Sequence, residues 1–211
     1  MLITSQQSET INKMKEINEN NQPAERVSQV ESPIQTIKKQ LANSYDGTPW
    51  YGPAIKEVLE IIDPDYAFES PEKNMQSIGE IIAHMLSCRK FAEQRLAGNL
   101  DYTFQEEEFD WRELSTNKKE AWNILMGRFQ VSQETLIQLM NQNNDIELGK
   151  RVNGKTYTFR NMLAGILQHD IHHLGQVEYI HNLLSKNKKP ATRMLRYSFR
   201  VFPFESLAQQ K

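Results

Sequence analysis

Histidine is concentrated in one stretch of this chain, LQHDIHHLGQVEYIH at residues 167–181, which holds four of its five histidines. His169 and His173 are four positions apart, so on a helix they lie about 40° apart and about one turn along the axis. Both imidazoles can therefore reach one metal ion. His172 and His181 lie roughly 80° and 100° from the mean direction of that pair, so we expect them to point elsewhere.

A catalytic zinc ion commonly has three protein ligands and one open position, so the pair needs a partner from another helix. The remaining histidine is His84, in the middle of the strongly helical segment IGEIIAHMLSCRKF. Facing helices of a bundle build metal sites in this way. An isolated HxxxH is a weak signal, however, and on residue chemistry alone a hydrogen-bonded core histidine is an equally open interpretation of His84.

Glu80 and Cys88 flank His84 at four residues on either side, on the same helix face. Glu80 is a candidate general base, but its place three residues after Ser77 already fits a helix capping box. Cys88 is a candidate fourth ligand. We leave it out of the predicted ligand set, because a closed set of three histidines and one cysteine is typical of structural zinc and because buried free cysteine often acts as a small apolar residue.

Four further residues are candidates for the surroundings of the ion. Gln176, one turn beyond His173, can orient that ligand or hold substrate, or it can make a simple interhelical hydrogen bond. His172 can act as a general acid or base, or it can be a solvent-facing or Asp-paired histidine. Trp50 and Tyr51, in the loop YDGTPWYGP, can cover a pocket or plug the end of a bundle. The sequence assigns no catalytic group beyond a metal-bound water or thiolate.

Helices dominate the rest of the pattern. Ser77 and Glu80 begin a helix of about twenty residues that ends before Gly98, and three more long helical patterns cover roughly residues 33–45, 117–142 and 159–185. Asn153-Gly154, between short apolar runs, predicts a small β-hairpin. We therefore expect an all-α fold, a four-helix bundle with a short hairpin before its last long helix.

Composition sets the limits of the domain. Residues 1–32 are rich in Gln, Asn, Glu and Ser and predict a weakly ordered extension, 33–186 the bundle, and 187–211 a tail that packs on the bundle or on a partner. The chain has 25 basic and 27 acidic residues, one cysteine and no apolar run of membrane-spanning length. We expect a soluble cytoplasmic protein without a membrane partner.

The C-terminal tail raises a separate alternative. Between Thr192 and Phe204, Arg193, Arg196 and Arg200 alternate with aromatic residues, a mixture that proteins use to bind single-stranded nucleic acid. The net charge of −2 favours a packing role, so nucleic acid is not the expected partner.

Taken in order, YDGTPWYGP, IGEIIAHMLSCRKF, the Asn-Gly turn and HDIHHLGQVEYI resemble the DinB/YfiT-like superfamily of metalloenzymes over about residues 33–186. The resemblance implies a four-helix bundle in which three histidines bind one divalent metal ion, commonly zinc or nickel, and it makes a homodimer a candidate assembly. Carried onto this chain, the ligands are His84, His169 and His173. Characterised members of the superfamily include bacterial enzymes that use low-molecular-weight thiols.

Three neutral ligands leave a divalent ion with its full charge, which stabilises a thiolate or lowers the pKa of bound water. The resemblance favours a thiol-dependent S-transferase, which attacks small electrophiles with a metal-bound thiolate. A metal-dependent hydrolase that uses metal-bound hydroxide is the alternative. A further alternative is a stress protein without turnover that binds metal or nucleic acid.

Overall fold

The structure is a computed structural model that describes residues 31–104, 115 and 117–187. Apart from Glu31, these residues belong to the second of the two units into which the chain divides, Ser32–Lys211. The predicted N-terminal extension and the C-terminal tail, including the segment from Thr192 to Phe204, therefore lie outside the described residues except at their inner edges.

Seven helices account for most of the described residues: α1 Pro33–Asp46, α2 Ile55–Glu60, α3 Pro64–Ala67, α4 Ile78–Leu96, α5 Lys118–Gln142, α6 Asp145–Gly149 and α7 Phe159–Asn187. The four long helices form a ring in which α4 packs on α5 and α7, and α1 packs on the same two helices. This arrangement confirms the prediction of an all-α four-helix bundle. None of the described helices is long and apolar enough to cross a membrane.

The predicted β-hairpin before the last helix is not supported. In the described segment between α6 and α7, the structure has one isolated antiparallel bridge, between Arg151 and Thr158. Val152 donates its N–H to the carbonyl of Tyr157 at 3.0 Å, and Gly154 turns the chain with a φ of +68°. The Asn-Gly turn therefore forms, but its flanks are too short for strands, and no further strand among the described residues supports them.

Helix α4, which carries His84, begins at a capping box. The Ser77 hydroxyl accepts the Glu80 N–H at 3.2 Å, and the Glu80 carboxylate accepts the Ser77 N–H at 2.8 Å. These two bonds satisfy donors that a helix N-terminus otherwise leaves free. Beyond the last turn, Gly98 has a φ of +88°, which a residue with a side chain rarely adopts. Both ends of the helix are thus fixed by local sequence.

The core consists of two apolar clusters with buried polar side chains between them. One cluster joins the first part of α4 and α5 to the second half of α7, and the other joins the opposite ends of these helices to α1. The intervening layer contains Ser44, Arg89, Gln133 and Asp170, each at most 5% exposed. Buried polar groups of this kind must find partners within the protein.

Arg89 is the centre of this polar layer. Its Nη2 donates to Asp170 Oδ2 at 2.7 Å, and both side chains are fully buried. Its Nη1 donates to Gln133 Oε1 at 3.1 Å, and its guanidinium lies 4.4 Å from the centre of the Phe129 ring. The Gln133 amide in turn donates to the carbonyl of Leu41 at 3.2 Å. One side chain therefore links α4 to α7 and α5, and through Gln133 to α1.

Replacing Arg89 by Met should destabilise the protein by about 3–5 kcal/mol, because it leaves the buried Asp170 carboxylate without its cation. Urea unfolding followed by circular dichroism measures the loss. The double variant Arg89→Met with Asp170→Leu should recover most of it, since it removes both charges together. Lys56→Met, which breaks the exposed pair of Lys56 with Asp46, is the matched control and should leave stability nearly unchanged. An equally small effect of Arg89→Met would contradict this account.

Candidate metal centre

The three histidines of the predicted ligand set meet where α4 packs on α7. His84 Nε2 lies 3.1 Å from His169 Nε2, and His169 Nε2 lies 3.0 Å from His173 Nε2. One nitrogen from each ring lies within 4.8 Å of the other two. The structure thus brings together side chains that are 85 residues apart in the chain.

The surroundings of His169 and His173 favour their neutral imidazoles. Burial, with smaller contributions from the neighbouring rings of His173 and His84, lowers the pKa of His169 to about 4. Burial also lowers the pKa of His173, while its hydrogen bond to Gln176 acts in the opposite direction. A neutral imidazole has a free lone pair, which is the form that binds a metal ion.

The spacing of the nitrogens fits a small divalent ion. Imidazole nitrogens lie about 2.0–2.1 Å from zinc, so two of them on a tetrahedral ion are roughly 3.3 Å apart. The two neighbouring pairs in this cluster, at 3.1 and 3.0 Å, are close to that separation. The residues present therefore fit a single ion held by His84, His169 and His173.

Gln176 fixes the orientation of one of these rings. His173 donates its Nδ1–H to Gln176 Oε1 at 2.6 Å, which leaves the lone pair of His173 on Nε2, the nitrogen that faces the cluster. Gln176 Nε2 also lies 3.4 Å from His172 Nε2, so this amide lies between the His172 and His173 rings. By contrast, His169 Nδ1 is buried without a hydrogen-bond partner among the described residues.

The other candidates have varied positions. His172 is exposed, with its ring centre 5.1 Å from that of His173. Glu80 bonds Ser77 in the capping box, Trp50 is 83% exposed in its loop, and Nδ1 of His181 lies 2.8 Å from the Tyr66 hydroxyl. Roles for Gln176, His172, Glu80 and Trp50 in catalysis or substrate binding stay predictions.

Two further side chains lie beside the cluster. Cys88 Sγ is 3.6 Å from His169 Nε2 and 3.9 Å from His84 Nε2. Burial, with Asp170 nearby, raises the pKa of the Cys88 thiol to about 11, so it is protonated at neutral pH in the absence of a metal. The Phe104 ring meets the His84 ring edge-on, with centres 6.4 Å apart. The i+4 spacing of Cys88 from His84 predicts its position beside the cluster. Phe104 comes after an irregular segment, and nothing in the sequence predicts its contact with His84.

In protein stripped of metal, the His169 imidazole should titrate near pH 4, about two and a half units below its ordinary value of 6.5. An NMR titration of the imidazole resonances measures this value. His173→Gln should raise it only partly, because burial is the largest cause. Between pH 6.5 and 4 the His169 imidazole binds a proton in the unfolded chain but not in the folded one, so the free energy of unfolding decreases as the pH falls. A His169 pKa near 6.5 would contradict the described burial.

Comparison with known proteins agrees with this architecture. The model of the DinB superfamily matches residues 53–177, well over half of the 211 residues, and this range includes all three clustered histidines. No curated protein sequence gives a significant match. A solved structure with the same fold is the colibactin self-resistance protein ClbS, in complex with double-stranded DNA, at 17% identity and a TM-score of 0.52 over 77% of this chain and 99% of that one. The chain belongs to the DinB superfamily.

Proposed function

We propose that this protein is a divalent-metal-dependent enzyme that transfers a low-molecular-weight thiol to small electrophiles. The observation that carries the proposal is the convergence of His84, His169 and His173 from two helices at spacings that suit one ion. Three imidazole ligands suit several divalent ions, and the superfamily resemblance makes zinc and nickel the expected ones. Each chain would bind one ion.

When bound, the ion supplies a Lewis acid that lowers the pKa of a thiol or a water molecule at its open position. The protein's own residues then have defined tasks. The three neutral imidazoles hold the ion without cancelling its charge, and Gln176 keeps the His173 ring turned towards it. Phe104 packs against His84 and gives that side of the cluster an apolar wall.

The choice between a transferase and a hydrolase rests on the superfamily resemblance, because the same site serves both reactions. Known thiol-dependent members favour the transferase. A hydrolase would use water in place of the thiol, with no change in the ligands. A small-molecule substrate and a homodimer are parts of the same proposal.

Metal content tests the first step. Protein purified without chelator should carry about one zinc or nickel ion per chain in elemental analysis, and His169→Ala should lose most of it. Gln176→Ala should weaken metal binding by about 10- to 100-fold, because it leaves the His173 ring unoriented. His181→Ala, on the same helix but bonded to Tyr66, is the control and should keep the parent's metal content. Metal binding by His169→Ala equal to that of the parent would sink the proposed ligand set.

A matrix of thiols and electrophiles tests the second step. Metal-loaded protein should accelerate the conjugation of at least one thiol with one electrophile, with His84→Gln reducing the rate to background. Mass spectrometry of the product shows whether the thiol or water has been added. A water adduct formed equally well without thiol would favour the hydrolase, and no turnover with any pair would favour a binding protein.

Nucleic acid deserves a separate test, since the structural neighbour ClbS has been crystallised with double-stranded DNA. That complex weakens the sequence-based expectation that nucleic acid is not a partner. Retention of double-stranded DNA that falls steeply with added salt would indicate binding through phosphate contacts. If His84→Gln retained DNA as well as the parent does, the binding would be independent of the histidine cluster.

A further inference from the structure

The side chain of Arg95, in the last turn of α4, is buried and incompletely bonded. It is only 6% exposed, and its Nε and Nη1 have no hydrogen-bond partner among the described residues. Its guanidinium lies 5.2 Å from the centre of the Phe91 ring, which occupies one face but accepts none of the in-plane N–H groups. A buried guanidinium without acceptors is unfavourable, so its presence points to an anion that the protein binds.

Arg95 lines a cavity of about 400 Å³, which falls within the size range of small-molecule sites. The cavity lies between the end of α4, the segment after it, α6 and the turn before α7. Its walls include Gly98, Leu100, Lys150, Arg151, Asn153 and Phe159.

Charge in this cavity is predominantly positive. Lys150 pairs with Glu147 at 2.6 Å, so these two charges offset each other. Arg95 and Arg151 have no ion pair within the described part of the chain, and both line the cavity. The Asn153 side-chain amide already donates to the carbonyl of Leu100 at 3.2 Å. Two guanidinium groups are thus left to bind a ligand, and their planar forks suit a phosphate or carboxylate.

The cavity is separate from the histidine cluster. Arg95 lies eleven residues after His84 on α4, which places it on nearly the same helix face but roughly 16 Å further along the axis. The segment after α4 covers the space between them. Tyr102 packs against Phe91, with ring centres 6.4 Å apart, and Phe104 packs against His84. A small ligand held by Arg95 would not reach the three histidines.

We propose that this cavity binds the phosphate group of a small phosphomonoester, with Arg95 and Arg151 as its principal contacts. A phosphomonoester carries nearly two negative charges at neutral pH, which match the two unpaired guanidinium groups more closely than a single carboxylate does. The volume leaves room for an organic group beside the phosphate.

Isothermal titration of the full-length protein with inorganic phosphate and with phenyl phosphate, at constant ionic strength, tests the proposal. Both should bind, and phenyl phosphate should bind more tightly because it also fills the apolar part of the cavity. Arg95→Met, which keeps the packing on Phe91, should weaken both by at least about tenfold, as expected for the loss of charge-assisted hydrogen bonds. Arg151→Gln changes an exposed residue, keeps the fold and should also weaken binding. Lys73→Gln, an exposed cation elsewhere, should have no effect.

Three results would overturn the proposal: undiminished phosphate binding by both arginine variants, benzoate binding as tight as that of phenyl phosphate, or binding of double-stranded DNA but of neither phosphate probe. His84→Gln should leave phosphate affinity unchanged. This control distinguishes the cavity from phosphate bound at a metal ion, so the proposal can fail or succeed independently of the enzymatic function.

Discussion

The buried pair of Arg89 and Asp170 is the constraint on which the rest of the bundle depends. Two full charges without solvent exposure need each other, so α4 and α7 can pack stably only where these side chains meet. The histidines share this register, since His84 precedes Arg89 by five residues and His169 directly precedes Asp170. The geometry that brings Nε2 of His84 within 3.1 Å of Nε2 of His169 is thus a consequence of a contact outside the site.

The same pair shapes the chemistry of the histidine cluster. Arg89 contributes to the lowered pKa of His169, and Asp170 contributes to the raised pKa of the Cys88 thiol, although burial is the larger cause in both cases. Both effects favour uncharged side chains around the position of the ion. The lowered pKa values of His169 and His173 keep these two imidazoles in the neutral form that binds a divalent cation at neutral pH.

Much of this arrangement could be predicted from sequence. Helical angles separate His169 and His173 from His172, and capping signals locate α4 almost to the residue. The polar layer was not predicted, although the sequence contains a signal for it. Arg89 and Asp170 each lie in the middle of an apolar stripe of their helix. The stripe consists of Ile82, Met85, Ala92 and Leu96 on α4, and of Leu163, Ile166, Leu174 and Val177 on α7. Opposite charges in such positions predict a buried pair. The contact of Phe104 with His84 depends on the path of an irregular segment, which the sequence pattern does not determine. The predicted hairpin did not form strands, because no neighbouring strand in the described residues supports it.

Two buried arginines on α4, Arg89 and Arg95, differ in whether the described residues provide hydrogen-bond acceptors for them. Arg89 and Arg95 are six residues apart and lie roughly 120° apart around the helix, so they face different neighbours. Arg89 bonds Asp170 and Gln133, and these partners fully account for its burial. Arg95 is almost as deeply buried, but its Nε and Nη1 have no acceptor among the described residues, and its guanidinium lies near the Phe91 ring and lines the cavity. Since burying a guanidinium is costly at both positions, the missing acceptors at Arg95 within the described residues support an anion as its partner.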